Sequence, residues 1–217
     1  MKNHLLVVMP HPDDETFACG GTIALHAKAG TPITYLCGTR GEMGRNMGKP
    51  PFATRESLPE LRERELRAAC EILGIRDLRL MGLRDKTTEF VDPEWLADQV
   101  GQVIAEVDPS LILIYHPQYG VHPDHCAFGA ATVRAVGRLP KAERPPIHCR
   151  AFGKNVGELG EADVVVDVSS VIDVKWAAIA AHRSQSEGMM ARLEQNPEQR
   201  EQAKKERARE HYWTYRF

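Results

Sequence analysis

The sequence predicts an α/β fold, a three-layer sandwich built on a mostly parallel sheet. Short β-type runs alternate with longer segments of helical periodicity from one end of the chain to the other. One of those runs, "SLILIYH", is apolar almost throughout, as a strand covered on both faces must be. With 217 residues and 42% hydrophobic content the chain can bury one sizeable core. No internal repeat or interdomain linker divides it, so a single domain over residues 1–217 is expected.

Taken in order, "LLVVM" reads as the first strand, followed by a helix from about Glu15 to Ala29 and by "PITYLC" as the second strand. Residues 39–58, "TRGEMGRNMGKPPFATRESL", are too rich in Gly, Pro and charge for an element and predict a long loop, a feature that in compact domains is often functional. In "LPELRERELRAACEILGI" the residues Leu61, Leu66, Ala69, Cys70 and Leu73 recur at helical spacing, with Gly74 placed to cap the end. "DLRLMG" is the next strand, "DPEWLADQVGQVIAEV" a helix opened by Asp92 and Pro93, and "SLILIYH" the buried strand. A helix follows His125; then come "IHCRAF" and "ADVVVDV" as strands and "VIDVKWAAIAAHRSQ" as one helix. Residues 192–211, dominated by Arg, Glu, Gln and Lys, suit a solvated, charged C-terminal helix that leads into the aromatic tail "HYWTYRF" up to residue 217.

Charge narrows the function classes. The 28 basic and 30 acidic residues nearly cancel, which gives no support to a nucleic-acid or membrane surface. No apolar run approaches the length of a membrane span, and "MKNHLLVVMPHP" meets proline and charge too early for a signal peptide, so a cytoplasmic location is expected. The five cysteines (Cys19, Cys37, Cys70, Cys126, Cys149) are odd in number, widely separated and without CxxC spacing. They read as small buried residues rather than as a disulfide framework or a zinc ribbon.

The stretch "VVMPHPDDETFACGG" crowds His11, Asp13, Asp14 and Glu15 directly behind an apolar run. In a parallel α/β sheet, ligands bind outside the carboxyl ends of the strands, and the loop after the first strand usually sits at the switch point. Pro12 would stiffen that turn, so that His11 and Asp14, three apart, can converge on one cation. Nitrogen and carboxylate oxygen together suit zinc or a similar divalent metal. The same acids could equally begin a helix, where they favour the dipole. A second cluster, "HPQYGVHPDH" at 116–125, sets His122 and His125 three apart after the buried strand. Two such clusters on one edge of one sheet favour a metal site over a purely structural role. The first strand-to-helix turn also lacks the glycines that a dinucleotide-binding turn requires.

"HPDDE" and "HPDH", with "GTRGE", "RERELRAACEILGI" and "AAIAAHRSQ", make the sequence resemble the LmbE/PIG-L family of zinc-dependent N-acetylglucosaminyl deacetylases over nearly its whole length. "VVMPHPDDETFACGGTI" and "YHPQYGVHPDH" are most similar to the second type of bacillithiol biosynthesis deacetylase. The resemblance implies a Rossmann-like, LmbE/PIG-L-like sandwich. It also implies a bound zinc, or another divalent metal such as iron, on His11, Asp14 and His125, with a position left open for water. Asp13 then matches the general base, and His122 the group that meets the oxyanion, with Asp124 orienting its ring or holding it protonated. Glu15 either orients His11 or starts the helix.

For the substrate, the resemblance implies that Arg62 helps bind the sugar, although Arg62 could instead form an i,i+3 pair with Glu65. Arg40, Glu42 and Arg55 lie in or beside the long loop, and Tyr119 shortly before the second cluster. At least one of Arg40, Arg55 and Arg62 is expected to grip a carboxylate of the substrate. His182 and Gln185 are placed on a helix next to the site, or serve packing. The expected reaction is hydrolysis of the acetamide of an N-acetylglucosaminyl compound, with L-malate as aglycone in the branch just named. An amidase for bacillithiol S-conjugates is the second enzyme reading, and a non-catalytic metal-binding protein the reading from another class. A module that only bound metal would have no need of the spare carboxylate of Asp13. The expected partners are a small sugar substrate and, in a homo-oligomer, further copies of the chain. The resemblance suggests a trimer or hexamer, with "HYWTYRF" as a buried anchor or docked on its own subunit.

Overall fold

Leu5–Met9 (β1) is buried at every position, and its side chains alternate between two cores: Leu5, Val7 and Met9 on one face of the sheet, Leu6 and Val8 on the other. Each such side chain taken from water contributes about 1.5–3 kcal/mol, which makes this run the natural centre of a sheet. β1 pairs in parallel with Ile33–Thr39 (β2) on one side and with Leu111–Tyr115 (β4) on the other. Asp77–Leu83 (β3) extends the sheet beyond β2, and Ile147–Arg150 (β5) extends it beyond β4, both in parallel. The structure, a computed structural model, describes residues 3–48 and 50–217. Met1 and Lys2, from the stretch read for a signal peptide, and Lys49, from the predicted 39–58 loop, lie outside the described residues.

Helices cover both faces, as predicted. Asp14–Lys28 (α1) and Leu58–Leu73 (α2) enclose one core with Ala18, Ile23, Leu66 and Leu73. Pro93–Val107 (α3) and Pro123–Gly137 (α4) enclose the other with Leu96, Val100, Phe128 and Val136. Local signals set the ends. Gly74, at φ 80°, closes α2 with its N–H on the carbonyls of Cys70 and Glu71, and the Asp92 carboxylate accepts from the N–H groups of Glu94 and Trp95 to open α3. α4 begins at Pro123, two residues before His125, so that His125 lies on the helix itself.

The sheet order is β3-β2-β1-β4-β5-β7-β6, in which β6 is Val164–Asp167 and β7 is Arg209–Thr214. The chain winds outward from β1 through β2 to β3 and then restarts on the other side at β4. The crevice between the carboxyl ends of β1 and β4 is therefore the topological switch point. Both sequence clusters empty into it.

The last quarter of the chain departs from expectation. "VIDVKWAAIAAHRSQ" is two helices, Ile172–Ala181 (α5) and Arg183–Glu194 (α6), broken at His182. The Glu65 carboxylate takes the N–H and hydroxyl of Ser184, which caps a new helix start, while His182 Nε2–H donates to Glu15 at 2.7 Å. Residues 192–217 are not one charged helix with an aromatic tail. Pro197–Glu206 (α7) is followed by β7, which inserts antiparallel between β5 and β6. Alternation decides this, because Glu210 and Tyr212 face inward and are fully buried, and a paired strand satisfies two otherwise open edges.

Glu210 anchors β7 to α1. Cys19 has non-helical φ and ψ inside α1, and the N–H groups of Gly21 and Thr22 just beyond donate to the Glu210 carboxylate at 2.8 Å each. Thr22 Oγ1, Tyr212 OH and Lys175 Nζ also donate to it, at 2.6, 2.9 and 2.6 Å. The result is a buried ion pair with the acid fully satisfied. Among the described residues no helix is long and apolar enough to cross a membrane. The five cysteines are free, and only Cys126 is not fully buried.

Candidate active site

The loop that follows β1 enters α1 through a strained residue. Asp13, the N-cap of α1, has φ 107°, Lys86 at the cleft has φ 63°, and Val121, the residue before His122, has φ 68°. Among the described residues these are three of four non-glycine residues at positive φ, and such conformations persist where surroundings over-determine them. Around Asp13 the surroundings are explicit. The Glu15 carboxylate accepts from the Asp13 N–H at 3.0 Å, and Arg62 Nη2 donates to the Asp13 carboxylate at 3.0 Å and to the carbonyl of Pro12. Glu15 therefore fixes the peptide of Asp13 and reaches His182, rather than orienting His11.

Above this turn three donor groups from two loops meet. His11 Nδ1 lies 3.2 Å from His125 Nε2 and 3.4 Å from Asp14 Oδ2, and His125 Nε2 lies 3.3 Å from Asp14 Oδ1. Ligands about 2.0–2.1 Å from a tetrahedral zinc would stand about 3.3–3.4 Å apart, so the spacing fits a metal ion on His11, Asp14 and His125. The lone pairs are correctly presented. His125 Nδ1–H donates to the carbonyl of Gly120 at 2.7 Å, which leaves Nε2 free to ligate, and its ring stacks on Tyr115 with centroids 3.9 Å apart. Tyr115 OH and the His11 N–H donate to the two oxygens of Asp14 at 2.9 and 2.8 Å. Gly129 permits this closeness between α4 and β4, since a Cβ there would stand 2.4 Å from the carbonyl of Tyr115.

His11 Nε2, on the far side of the ring, lies 3.0 Å from Asp124 Oδ2 and 3.2 Å from Asp85 Oδ1. Asp124 is fully buried and takes the N–H groups of Lys86 and Thr88 at 2.8 and 3.2 Å. Its carboxylate is 3.9 Å from His122 Nδ1, so the expectation that it orients His122 or keeps it protonated is corrected: it orients His11. His122 Nδ1 instead accepts the N–H of Asp124 at 3.1 Å, which leaves the proton of a neutral ring on Nε2.

The electrostatics follow this wiring. Burial works against a charged His11, but hydrogen bonds to Asp124, Asp14 and Asp85 outweigh it and raise its pKa well above the usual imidazole value. Burial would favour a neutral Asp14, yet His125 and His11 hold it well below the usual carboxylate range. Asp124 is held at about 2, against its burial, by His11 and the N–H groups it accepts. Asp13 goes the other way: burial pushes it up to about 6 although Arg62 pulls it down. Burial and the neighbouring His11 lower the pKa of His122. Three carboxylates around one imidazole make a field suited to a cation, beside one carboxylate poised to exchange a proton.

His11, Asp13, Asp14, Asp85, His122 and His125 line a cleft of about 300 Å³ with Arg62, Arg45 and Lys86, and Asp124 lies buried behind it. Of the sequence-derived substrate residues, Arg62 alone faces it. Arg62 is buried, donates to the carbonyl of Gly41 at 2.7 Å as well as to Asp13, and leaves Glu65 to Ser184, so the i,i+3 pair is not formed. Arg40 pairs with Glu63 at 2.9 Å, Arg55 donates to the carbonyls of Glu42 and Gly44, and Tyr119 OH donates to Glu158 at 3.0 Å. Asp85, Tyr115, Arg45 and Lys86 were missed in the sequence. Asp85 and Tyr115 could have been found, since both stand at the carboxyl ends of strands on the switch-point edge.

Relatives of one name span the whole chain. It is 52% identical to the probable N-acetyl-alpha-D-glucosaminyl L-malate deacetylase 2 of Bacillus cereus, with 100% of both chains covered. It is 51% identical to the protein of the same name from Bacillus subtilis, covering 100% of this chain and 99% of that one. Among solved structures, the N,N'-diacetylchitobiose deacetylase of Pyrococcus horikoshii shares the fold, with TM-score 0.73 at 23% identity over 98% of this chain and 84% of that one. A conserved protein of Thermus thermophilus aligns with TM-score 0.71 at 28% identity, covering 97% and 94%. The sequence model of the PIG-L family, GlcNAc-PI de-N-acetylase, matches residues 6–136 and with them the whole of both histidine clusters, and the chain belongs to that family.

Proposed function

We propose that the protein is a metal-dependent deacetylase that hydrolyses the acetamide of an N-acetylglucosaminyl compound, N-acetyl-α-D-glucosaminyl L-malate in bacillithiol biosynthesis, releasing acetate and a free amine. One observation carries this reading: three donors spaced to hold a metal ion, His11, Asp14 and His125, stand directly beside Asp13, a carboxylate outside that set which borders the cleft and is held by Arg62. The names of the full-length relatives support the substrate.

A divalent cation on His11, Asp14 and His125, zinc in this reading, would polarise the acetyl carbonyl and acidify the attacking water. Asp13 accepts the proton of that water and returns it to the departing amine. Arg62 keeps the Asp13 carboxylate aimed while it is charged. His122 Nε2–H donates to the carbonyl oxygen as charge develops there, acting as a neutral donor rather than as an imidazolium. Asp124 and Asp85 hold the ring of His11 so that Nδ1 faces His125 and Asp14, with which it would share the metal. The same reading places the enzyme in the cytoplasm as a homo-oligomer, a trimer or hexamer. The aromatic tail is no support for that assembly, because β7 is spent inside its own sheet and Phe217 packs under Arg144 of its own subunit.

The test is acetate release from N-acetylglucosaminyl L-malate by purified protein, before and after treatment with a chelator and after zinc is restored. Release that is lost with the metal and regained with it is expected. Release that ignores the chelator would overturn the metal-dependent reading, and none under any condition would overturn the deacetylase.

A further inference from the structure

We propose that Arg45 and Lys86 form a carboxylate-binding subsite on the wall of the cleft that receives the acidic aglycone. This rests on the deacetylase reading and deepens it, since it assigns which residues select a substrate with carboxylates over a neutral glycoside.

Arg62 is committed to Asp13, Pro12 and Gly41, Arg40 to Glu63, and Arg55 to two carbonyls of the long loop. Neither Arg40 nor Arg55 lines the cleft, and Arg62, which does, is already spent on protein acceptors. Arg45 and Lys86 both line the cleft, both are exposed, and among the described residues neither side chain has an ion pair or hydrogen bond. Both are therefore available to a ligand that enters the cleft.

They are also placed together. The Met43 N–H donates to Asp85 Oδ2 at 2.9 Å, and the Asp85 N–H donates to Glu42 Oε1 at 2.9 Å. These two bonds stitch the long loop to the segment after β3. Arg45 is two residues beyond the first stitch and Lys86 one beyond the second, so both belong to one wall. The N–H of Lys86 is itself fixed on Asp124, which ties that wall to the metal site.

The chemistry then selects the ligand. Asp13, Asp14 and Asp85 border the same cleft, so a substrate with two carboxylates meets repulsion unless cations that are not already neutralised stand near its entry. Arginine offers a planar fork to one carboxylate and lysine a mobile point charge to the other. A hydroxy-dicarboxylate aglycone such as malate matches that pair in number and sign. Neutral aglycones gain nothing from it.

The experiment compares kcat/KM on N-acetylglucosaminyl L-malate with kcat/KM on methyl N-acetyl-α-glucosaminide for the wild type, Arg45→Met, Lys86→Met and the double variant. Methionine keeps apolar bulk and removes the charge, and both positions are exposed, so folding is not at stake. The ratio of the two efficiencies is expected to favour malate in the wild type. It should fall roughly tenfold to a hundredfold in each single variant, the size of a lost charged hydrogen bond, and further in the double. Arg45→Lys should restore part of the preference. An unchanged ratio in the double variant, or no wild-type preference for the malate compound while both are cleaved, overturns the subsite alone. A wild type that releases acetate from neither overturns the deacetylase reading and the subsite with it.

Discussion

Asp124 Oδ2 and His11 Nε2 lie 3.0 Å apart although 113 residues separate them in the chain. That contact joins the two clusters before any metal does, and it fixes which nitrogen of His11 is offered to the cation. Asp124→Asn should therefore weaken metal affinity by about 10–100-fold, the usual effect of losing such a partner, while the fold persists. Competition against a metallochromic chelator measures it. Unaltered affinity would return Asp124 to the role of a helix-start residue.

Asp13→Asn should keep its metal and lose its turnover, because the three donors remain while the base is gone. His11→Ala and His125→Ala should lose metal first. Metal content and acetate release on the same preparations decide it, and loss of both together in Asp13→Asn would make Asp13 a ligand.

Arg62→Met should shift the acid limb of the pH–rate profile upward. The cation lowers the pKa of Asp13 against the burial that raises it. Without Arg62 the carboxyl therefore stays protonated to higher pH, and the base form appears later on the alkaline side. A limb that moves down or stays fixed would separate Arg62 from Asp13 in catalysis.

His122→Ala should lower kcat by about a hundredfold with little change in KM, as befits a donor whose bond strengthens in the transition state. Since the ring is wired as a neutral donor, an alkaline limb present in the wild type should persist in this variant. If the limb vanishes with the histidine, the imidazolium was the active form.

Glu210→Ala should destabilise the fold by about 3–5 kcal/mol, because it strands Lys175 as a lone charge in the core and uncaps the second half of α1. Urea denaturation reads this directly. A shift of a few tenths would mean that water reaches Lys175 and that β7 is only loosely held.

Much of the molecule is legible before folding because its signals are local. The uninterrupted apolar runs "LLVVM" and "LILIY" identify central strands, and Gly74, Asp92 and Pro93 set helix ends through bonds that span only a few residues. The candidate metal trio draws on two short motifs, "HPDD" directly after β1 and "HPDH" in the loop and helix start after β4, each of which spans four residues. What failed was non-local. Nothing in "HRSQ" says that Glu65, 119 residues away, will cap Ser184 and split a helix. The charged run after residue 192 hides a strand whose inward Glu210 is intelligible only once Lys175 and the α1 break are beside it.

The sequence by itself determined the α/β order, the central strands and the residue types of the candidate metal site, because periodicity, capping chemistry and donor chemistry act over short stretches of chain. The tertiary structure alone decided the partners. Asp124 serves His11 rather than its neighbour His122, and Arg62 serves Asp13 while Arg40 and Arg55 are bound elsewhere. Arg45 and Lys86 are the cations left free beside the cleft. The physical reason is that a charge is satisfied by whatever lies within about 3 Å of it, and that distance is fixed by packing between elements far apart in the chain.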